Sequence, residues 1–438
     1  MAVPEPETVL WPLSGADRPV ATGAPAVVGV ADLRATNAAA VLAVVRSADP
    51  HPRLSELVKA TSLSRPTVEA IAEELADCGL IEVAPALSAR GQRSPGRPAR
   101  RFRFRPHAGF VVGVDVRPQS VTACLADLDG EQVAVHRLTV RADIPGAARA
   151  DAVTSAVRSA MVRLEVDATR VWAATIGTPG LVDRFNARVR QADNLHSWAD
   201  TDVVGILREE LHCPVAVEND ANLAALGEQW RGVGQASDGT GAEPPDTGEA
   251  DEGNGETAEE MLFVLLGERL GAGVITGGRL LRGHHGAAGE IGFIRFPDAA
   301  DLARGSRSGS AAGPGLEPLA NSVIAGAAAG DADAVAAVES YGRRLAVGLA
   351  PVLLALDPAL VVLGTGRFRT ADADPAAALL MDAARKHAAS VLIDPPRWQL
   401  SALGDDAVLT GAVRFALSSV QAVLRTRPTS LMARARGA

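Results

Sequence analysis

Residues 64–79 read Ser64-Arg65-Pro66-Thr67-Val68-Glu69-Ala70-Ile71-Ala72-Glu73-Glu74-Leu75-Ala76-Asp77-Cys78-Gly79, a segment with its own start and stop signals. Ser64 suits a helix N-cap, because its hydroxyl can accept a backbone N–H of the first turn. Pro66 fits that turn, where its missing N–H has no helical partner. Val68, Ile71 and Leu75 recur at i, i+3 and i+7 and share one apolar face. Gly79 ends the helix. Upstream, the tight connection Thr61-Ser62-Leu63 joins it to an expected helix around Ser55–Ala60. Asp49–Pro52 separates that helix from a pattern beginning at Asn37, with Val41, Leu42 and Val45 on its buried side.

Downstream come Leu80-Ile81-Glu82-Val83, a loop rich in Arg, Pro and Gly, and the alternating run Arg101-Phe102-Arg103-Phe104-Arg105. In a strand this alternation puts Phe102 and Phe104 on one face and the arginines on the other. Seven arginines and no acid lie between Arg90 and Arg105. Helix, turn, helix and basic hairpin is the order of a winged helix-turn-helix, whose second helix enters the major groove by its N-terminal residues. The candidates for DNA contact are Ser64, Arg65 and Thr67 on that helix and Arg93, Arg97, Arg100, Arg101 and Arg103 on the wing. Ser94-Pro95-Gly96-Arg97-Pro98 would present Arg97 to a narrow minor groove. Glu69, Glu73 and Glu74 oppose phosphate, so the arginines carry the affinity and make it salt-dependent. The other reading of the same pattern is three small helices packed for structural reasons, with a solvated polar face.

The 438-residue chain is 47% hydrophobic, which excludes a wholly disordered chain, and is long enough for two or three domains. Its net charge of -9 conceals opposite regions. Residues 31–105 hold eight acids and twelve bases, whereas residues 236–260 hold nine acids and no base. Residues 1–30, rich in Pro, Ala and Gly, read as a disordered tail, and 31–106 as the winged helix-turn-helix. The longest apolar run, Leu345–Leu356, is 12 residues, short of the roughly 18–20 that span a membrane. The N-terminus lacks a basic n-region and its apolar patches are cut by Pro4, Pro6, Pro12, Pro19 and Pro25, so the chain is expected to be cytoplasmic and to have no membrane partner. Cys78, Cys124 and Cys213 form neither a disulfide framework nor a CxxC site.

Residues 110–438 have an α/β texture. Strands are expected at Phe110–Val116, Val121–Leu128 (closing on the turn Asp129-Gly130), Val171–Ile176, Pro214–Glu218, Met261–Leu266, Gly271–Ile275 and Leu360–Leu363. Helices are expected at Ile144–Leu164, Ala221–Trp230, Tyr341–Leu356 and Ala407–Leu424. The acidic stretch 235–260 reads as a flexible solvated insertion and 299–315 as loop.

Three motifs in order give this part a resemblance. Ile176-Gly177-Thr178-Pro179-Gly180-Leu181-Val182-Asp183, Glu218-Asn219-Asp220-Ala221-Asn222 and Gly289-Glu290-Ile291-Gly292 resemble the signature turn, catalytic loop and sugar-contact motif of the ROK family. That family joins bacterial sugar kinases and transcriptional repressors on a two-lobed, actin-like ATPase fold. The helix start Leu63–Val68 and the wing Gly96-Arg97-Pro98 look like its repressor branch. The resemblance implies sugar contacts at Asn219, Asp220, Glu290 and Glu317, with Asp220 where the kinases hold the general base for a sugar hydroxyl. Asp220 has two readings: a retained acceptor for a ligand, or a loop carboxylate satisfied by backbone amides.

The departures from the family pattern bear on activity. Where its kinases carry Asp-x-Gly-Gly-Thr, this chain has Asp115-Val116-Arg117-Pro118-Gln119. Pro118 has no N–H, and two side chains enter the space a phosphate needs. The second phosphate loop, Gly-Thr-Gly in the family, reads Gly267-Glu268-Arg269, which sets a carboxylate against phosphate, with Arg269 in partial compensation. The family's zinc His is replaced by Phe293, and its three cysteines fall at Ser308, Ser310 and Gly315, none able to supply imidazole or thiolate. His284 and His285 lack further ligands at metal spacing. No metal and no cofactor are therefore expected.

These features predict a DNA-binding transcriptional regulator of the repressor kind, without phosphotransfer. It would act as a homodimer or homotetramer on a roughly palindromic duplex operator and respond to a carbohydrate or sugar phosphate. Two alternatives stand beside it: a bifunctional ATP-dependent sugar kinase, and a regulator that uses the kinase-like part only to oligomerise.

Overall fold

Two five-stranded mixed sheets with the same internal strand order form the centres of two lobes. The computed structural model describes residues 30–84, 100–183, 187–235, 258–267, 270–298, 316–364, 375–390 and 392–431. Arg93, Arg97, Glu268, Arg269, Ser308, Ser310, Gly315, residues 1–29 and most of the acidic insertion lie outside the described residues.

The head consists of α1 (Val30–Ser47), α2 (Leu54–Thr61) and α3 (Arg65–Asp77), followed by β1 (Ile81–Val83) paired antiparallel with β2 (Phe102–Phe104). Ser64 caps α3, its Oγ accepting the Thr67 amide at 3.3 Å, and Gly79 leaves the helix at φ +76°. Val68, Ile71 and Leu75 are buried, as their spacing requires. α1 begins seven residues before the apolar pattern does. Its first turns carry no buried stripe, and Leu33 is exposed there, so periodicity could not find them.

The first lobe is built from β3 (Phe110–Val116), β4 (Ser120–Asp127), β5 (Gln132–Thr139), α4 (Gly146–Val162), β6 (Val171–Thr178), the short pair β7 (Leu181–Asp183) and β8 (Arg188–Gln191), α5 (Val203–Leu211), β9 (Val215–Asn219) and α6 (Asp220–Arg231). The second holds β10 (Met261–Leu266), β11 (Leu270–Thr276), β12 (Arg279–Leu281), α7 (Asn321–Ala328), α8 (Ala332–Leu356), β13 (Leu360–Gly364), α9 (Pro375–Ala388), β14 (Arg397–Leu400) and α10 (Ala407–Leu424). The sheets run β5-β4-β3-β6-β9 and β12-β11-β10-β13-β14. Each is an antiparallel meander of three strands extended by two parallel ones. β3 and β6 are buried along their whole length because helices cover the sheet, which explains their unbroken apolar runs.

The lobes exchange their last helices. α6 leaves β9 of the first sheet but packs on β10 and β11 of the second, while α10 leaves β14 and packs on β3 and β6. The two helices meet at glycines. A Cβ on Gly411 would lie 1.7 Å from the Leu223 carbonyl oxygen, and one on Gly227 2.4 Å from that of Ala407. α10 is also the one described helix long and apolar enough to cross a membrane, and here most of it is buried between sheet and helix.

The head rests on the first lobe. Its core residues Leu42, Leu80 and Phe102 belong to one apolar cluster with Val111, Trp172, Leu417 and Leu424. Arg46 of α1 lies 4.5 Å above the Phe104 ring and donates to the Leu128 carbonyl and to Asp129 Oδ1 at 3.3 and 3.1 Å. From the other side Arg231, closing α6, donates to Glu131 Oε1 and the Asp129 carbonyl at 2.7 and 3.3 Å. The β4–β5 turn thus sits between the head and α6.

Candidate functional site

A cavity of about 630 Å³ opens between the lobes. β9 runs into α6 at its floor, and Asn219 is the helix N-cap: its Oδ1 accepts the Asn222 amide at 3.1 Å. Its Nδ2 donates to the Gly180 carbonyl at 3.0 Å, so the signature turn and the catalytic-loop motif are tied together by one amide. Gly180 has φ +100°, and a side chain there would strike the Gln191 carbonyl. Asp220 Oδ1 accepts the Ala221 amide at 2.9 Å, while the residue faces the cavity. Burial, together with the Asp115 and Glu290 carboxylates, pushes the Asp220 pKa up to about 7 against the pull of that amide and of Arg117. Glu290, Phe293 and Glu317 line the opposite wall, with Phe293 largely exposed.

The turn that follows β3 is closed by the protein's own side chains. Arg117 follows β3, and its Nε donates to Asp115 Oδ2 at 2.7 Å. Its Nη1 and Nη2 reach across the cleft to the Asp405 carboxylate at 3.0 Å and the Asp405 carbonyl at 2.5 Å. Asp115 is buried, which raises its pKa despite the guanidinium beside it. Behind the turn, the fully buried Arg149 of α4 donates to the carbonyls of Arg117, Pro118 and Ala142 at 2.7, 3.0 and 3.1 Å. The loop holding Asp405 is fixed by a second buried charge. Glu228 of α6 accepts from the Ser401 hydroxyl at 2.5 Å and the Leu403 amide at 3.0 Å. Glu218 adds another bridge between the lobes, pairing with Arg282 at 2.6 Å.

Of the sequence-predicted residues, Asn219, Asp220, Glu290, Glu317, Asp115, Arg117, Pro118 and Gly267 line one cavity. Arg149, Glu228, Arg282 and Asp405 are additions. Arg149 stands in an alanine-rich helix and Asp405 in a polar turn, and no local pattern marks either as a partner of the cleft.

On the head, Arg65 and Arg100 are exposed and have no ion-pair partner among the described residues. Ser64 and Thr67 bond each other at 2.7 Å within the cap. Arg103 is paired with Glu82, and Arg101 is half-buried, its guanidinium on the His51 carbonyl and 3.7 Å from Glu56. The alternating arginines of β2 therefore split into one that buttresses the hairpin's base, one neutralised by a neighbour, and Arg105 between Gly79 and Glu82.

Comparison with known proteins agrees with both parts of the molecule. A model of the ROK family matches residues 111–239 and 242–419, and one of the IclR helix-turn-helix domain matches residues 35–85. A glucokinase of Halalkalibacterium halodurans is 26% identical over 335 residues, which is 69% of this chain and 93% of that protein. The xylose repressor of Bacillus subtilis is 25% identical over 205 residues, 47% of each chain, so the match spans about half of that relative. Among solved structures, a ROK family transcriptional regulator described as a homolog of the E. coli MLC protein superposes with a TM-score of 0.64 at 18% identity. That superposition covers 92% of this chain and all of the other. A ROK hexokinase from Thermus thermophilus gives 0.52 at 27% identity, covering 72% and 99%.

Proposed function

The chain belongs to the ROK family, and on that premise we propose that it is a transcriptional repressor that binds DNA through its winged head, senses a carbohydrate in the interlobe cleft and transfers no phosphate. The helix-turn-helix match and the repressors among its relatives support DNA binding. One observation carries the non-enzymatic reading. At the position of the first phosphate loop stands Arg117, tied to Asp115 and Asp405, next to a proline without an N–H to offer. A nucleotide phosphate would have to displace a guanidinium already paired with two carboxylates.

In this reading a dimer sets two α3 helices in successive major grooves of a roughly palindromic operator. Ser64, Arg65, Thr67 and the wing arginines supply the contacts. A ligand held by Asn219, Asp220, Glu290 and Glu317 shifts DNA affinity only if it prefers one arrangement of the lobes. Genomic binding-site selection with purified protein, followed by gel-shift titration of the selected sites with and without sugars, tests this. We expect sequence-specific binding weakened by one class of sugar. Binding no tighter than to bulk DNA would sink the proposal.

A sugar kinase with its own DNA head is the second reading, favoured by the glucokinase relative and by an Asp220 that titrates near neutrality, as a general base should. It predicts ATP-dependent sugar phosphorylation abolished by Asp220→Asn. The first reading expects none.

A further inference from the structure

A helix and a turn lead from the cleft to the head. Helix α6 opens in the cavity, where Asn219 caps it and Asp220 faces the open space, and its 12 residues carry it about 18 Å to Arg231. It leaves the first sheet but rides on β10 and β11 of the second. Its last residues nevertheless press on the β4–β5 turn, which belongs to the first sheet. Gly130 of that turn has φ +83°, and a Cβ there would lie 2.4 Å from the Trp230 ring. Arg231 lies 4.2 Å over the same ring and donates to Glu131 and to the Asp129 carbonyl. Packing this close has no slack, so a shift of the second lobe against the first bears on the turn.

The turn is braced to move as one piece. Asp127 Oδ1 accepts the Asp129 and Glu131 amides at 3.0 and 2.9 Å. The Leu128 amide donates at 3.1 Å to the Pro106 carbonyl, in the segment that joins head to lobe. On the head side Arg46 of α1 holds Asp129 Oδ1 and the Leu128 carbonyl, with its guanidinium over Phe104 of β2. Resting on the regulatory reading above, we propose that Asp129 and its turn couple the cleft to the head. α6 moves with the cleft, the turn moves with α6, and Arg46 passes the movement to α1 and the hairpin. Asp129 is a positioning residue, acting through Arg46 and Arg231. A parallel route exists through α10, which packs on α6 and shares an apolar cluster with the head.

Amide hydrogen exchange of the full chain separates the two routes without ligand or DNA. Arg231→Ala should speed exchange at residues 41–46 of α1 about fivefold, although Arg231 bonds to the turn. Arg46→Ala should do the same to the last turn of α6. In an Asp129→Ala background neither second substitution should add to exchange on the far side. If each change moves only its own side, the proposal is overturned. Far-side effects that persist without Asp129 overturn the turn as the route and point to α10. An equal rise in α8, far along the second lobe, marks general loosening and overturns it too. Glucose and xylose then serve as probes in gel shifts on the selected operator. Where either weakens binding by the unmodified chain, Asp129→Ala should cut that effect at least threefold while calorimetry finds the sugar bound as before. An undiminished response overturns the coupling. No response of the unmodified chain to any sugar counts against the sensing reading, and the exchange result still decides the turn.

Discussion

Asp220 and Arg149 are opposite cases of a charge held inside protein. Burial and two neighbouring carboxylates raise Asp220 from 3.8 to about 7, so the folded chain holds a proton there that the unfolded chain has released. Stability is therefore lost as pH rises from about 4 to 7 and is constant above that. Asp220→Asn should remove this slope, leaving the ligand-free protein about 4 kcal/mol more stable at pH 8 and unchanged below pH 4. Urea unfolding across that pH range would measure it, and an unaltered slope would count against the charge cluster. Arg149 has no carboxylate partner among the described residues; burial lowers its pKa, and three carbonyls hold it. Arg149→Met should cost about 2–4 kcal/mol in the same measurement, because those buried acceptors lose their donor.

At the level of elements, local signals decided what the sequence could reveal. Helix α3 was legible in its cap, its proline and its apolar stripe, and β3, β10 and α10 in unbroken or periodic apolar runs. α9 was not: its buried positions include Ala376, Ala377, Ala384 and Ala388, and alanine gives little contrast between faces. β7 and β12 have three residues each, too few to show alternation. The hairpin shows the same limit in charge. The run Arg101–Arg105 reads as one basic face, but Glu82, two residues into the opposite strand's segment, neutralises Arg103. Arg65→Ala should accordingly lower the slope of log affinity against log salt by about 1, as loss of one phosphate contact does. Arg103→Ala should leave that slope nearly intact. Gel shifts over a salt series would separate the two, and equal losses would show that Arg103 leaves Glu82 for DNA.

Across the whole molecule, the resemblance to a two-lobed kinase was carried by motifs that each occupy a turn, and those turns do assemble around one cavity. What no motif showed is how the lobes are held: Arg117 to Asp405, Glu218 to Arg282, and Glu228 to the Ser401–Leu403 turn all join residues far apart in the chain. The exchanged helices have a genetic meaning as well. α10 comes last in the described chain, yet it covers the first lobe's sheet and shares an apolar cluster with the head. A nonsense allele that stops at residue 406 leaves the second sheet's own strands intact and uncovers β3 and β6, roughly 230–300 residues upstream. Such alleles should behave in a reporter strain like deletions of the DNA-binding head, and a truncated chain that still represses would contradict the arrangement. The codons for residues 407–424 thus guard the head encoded roughly three hundred codons earlier.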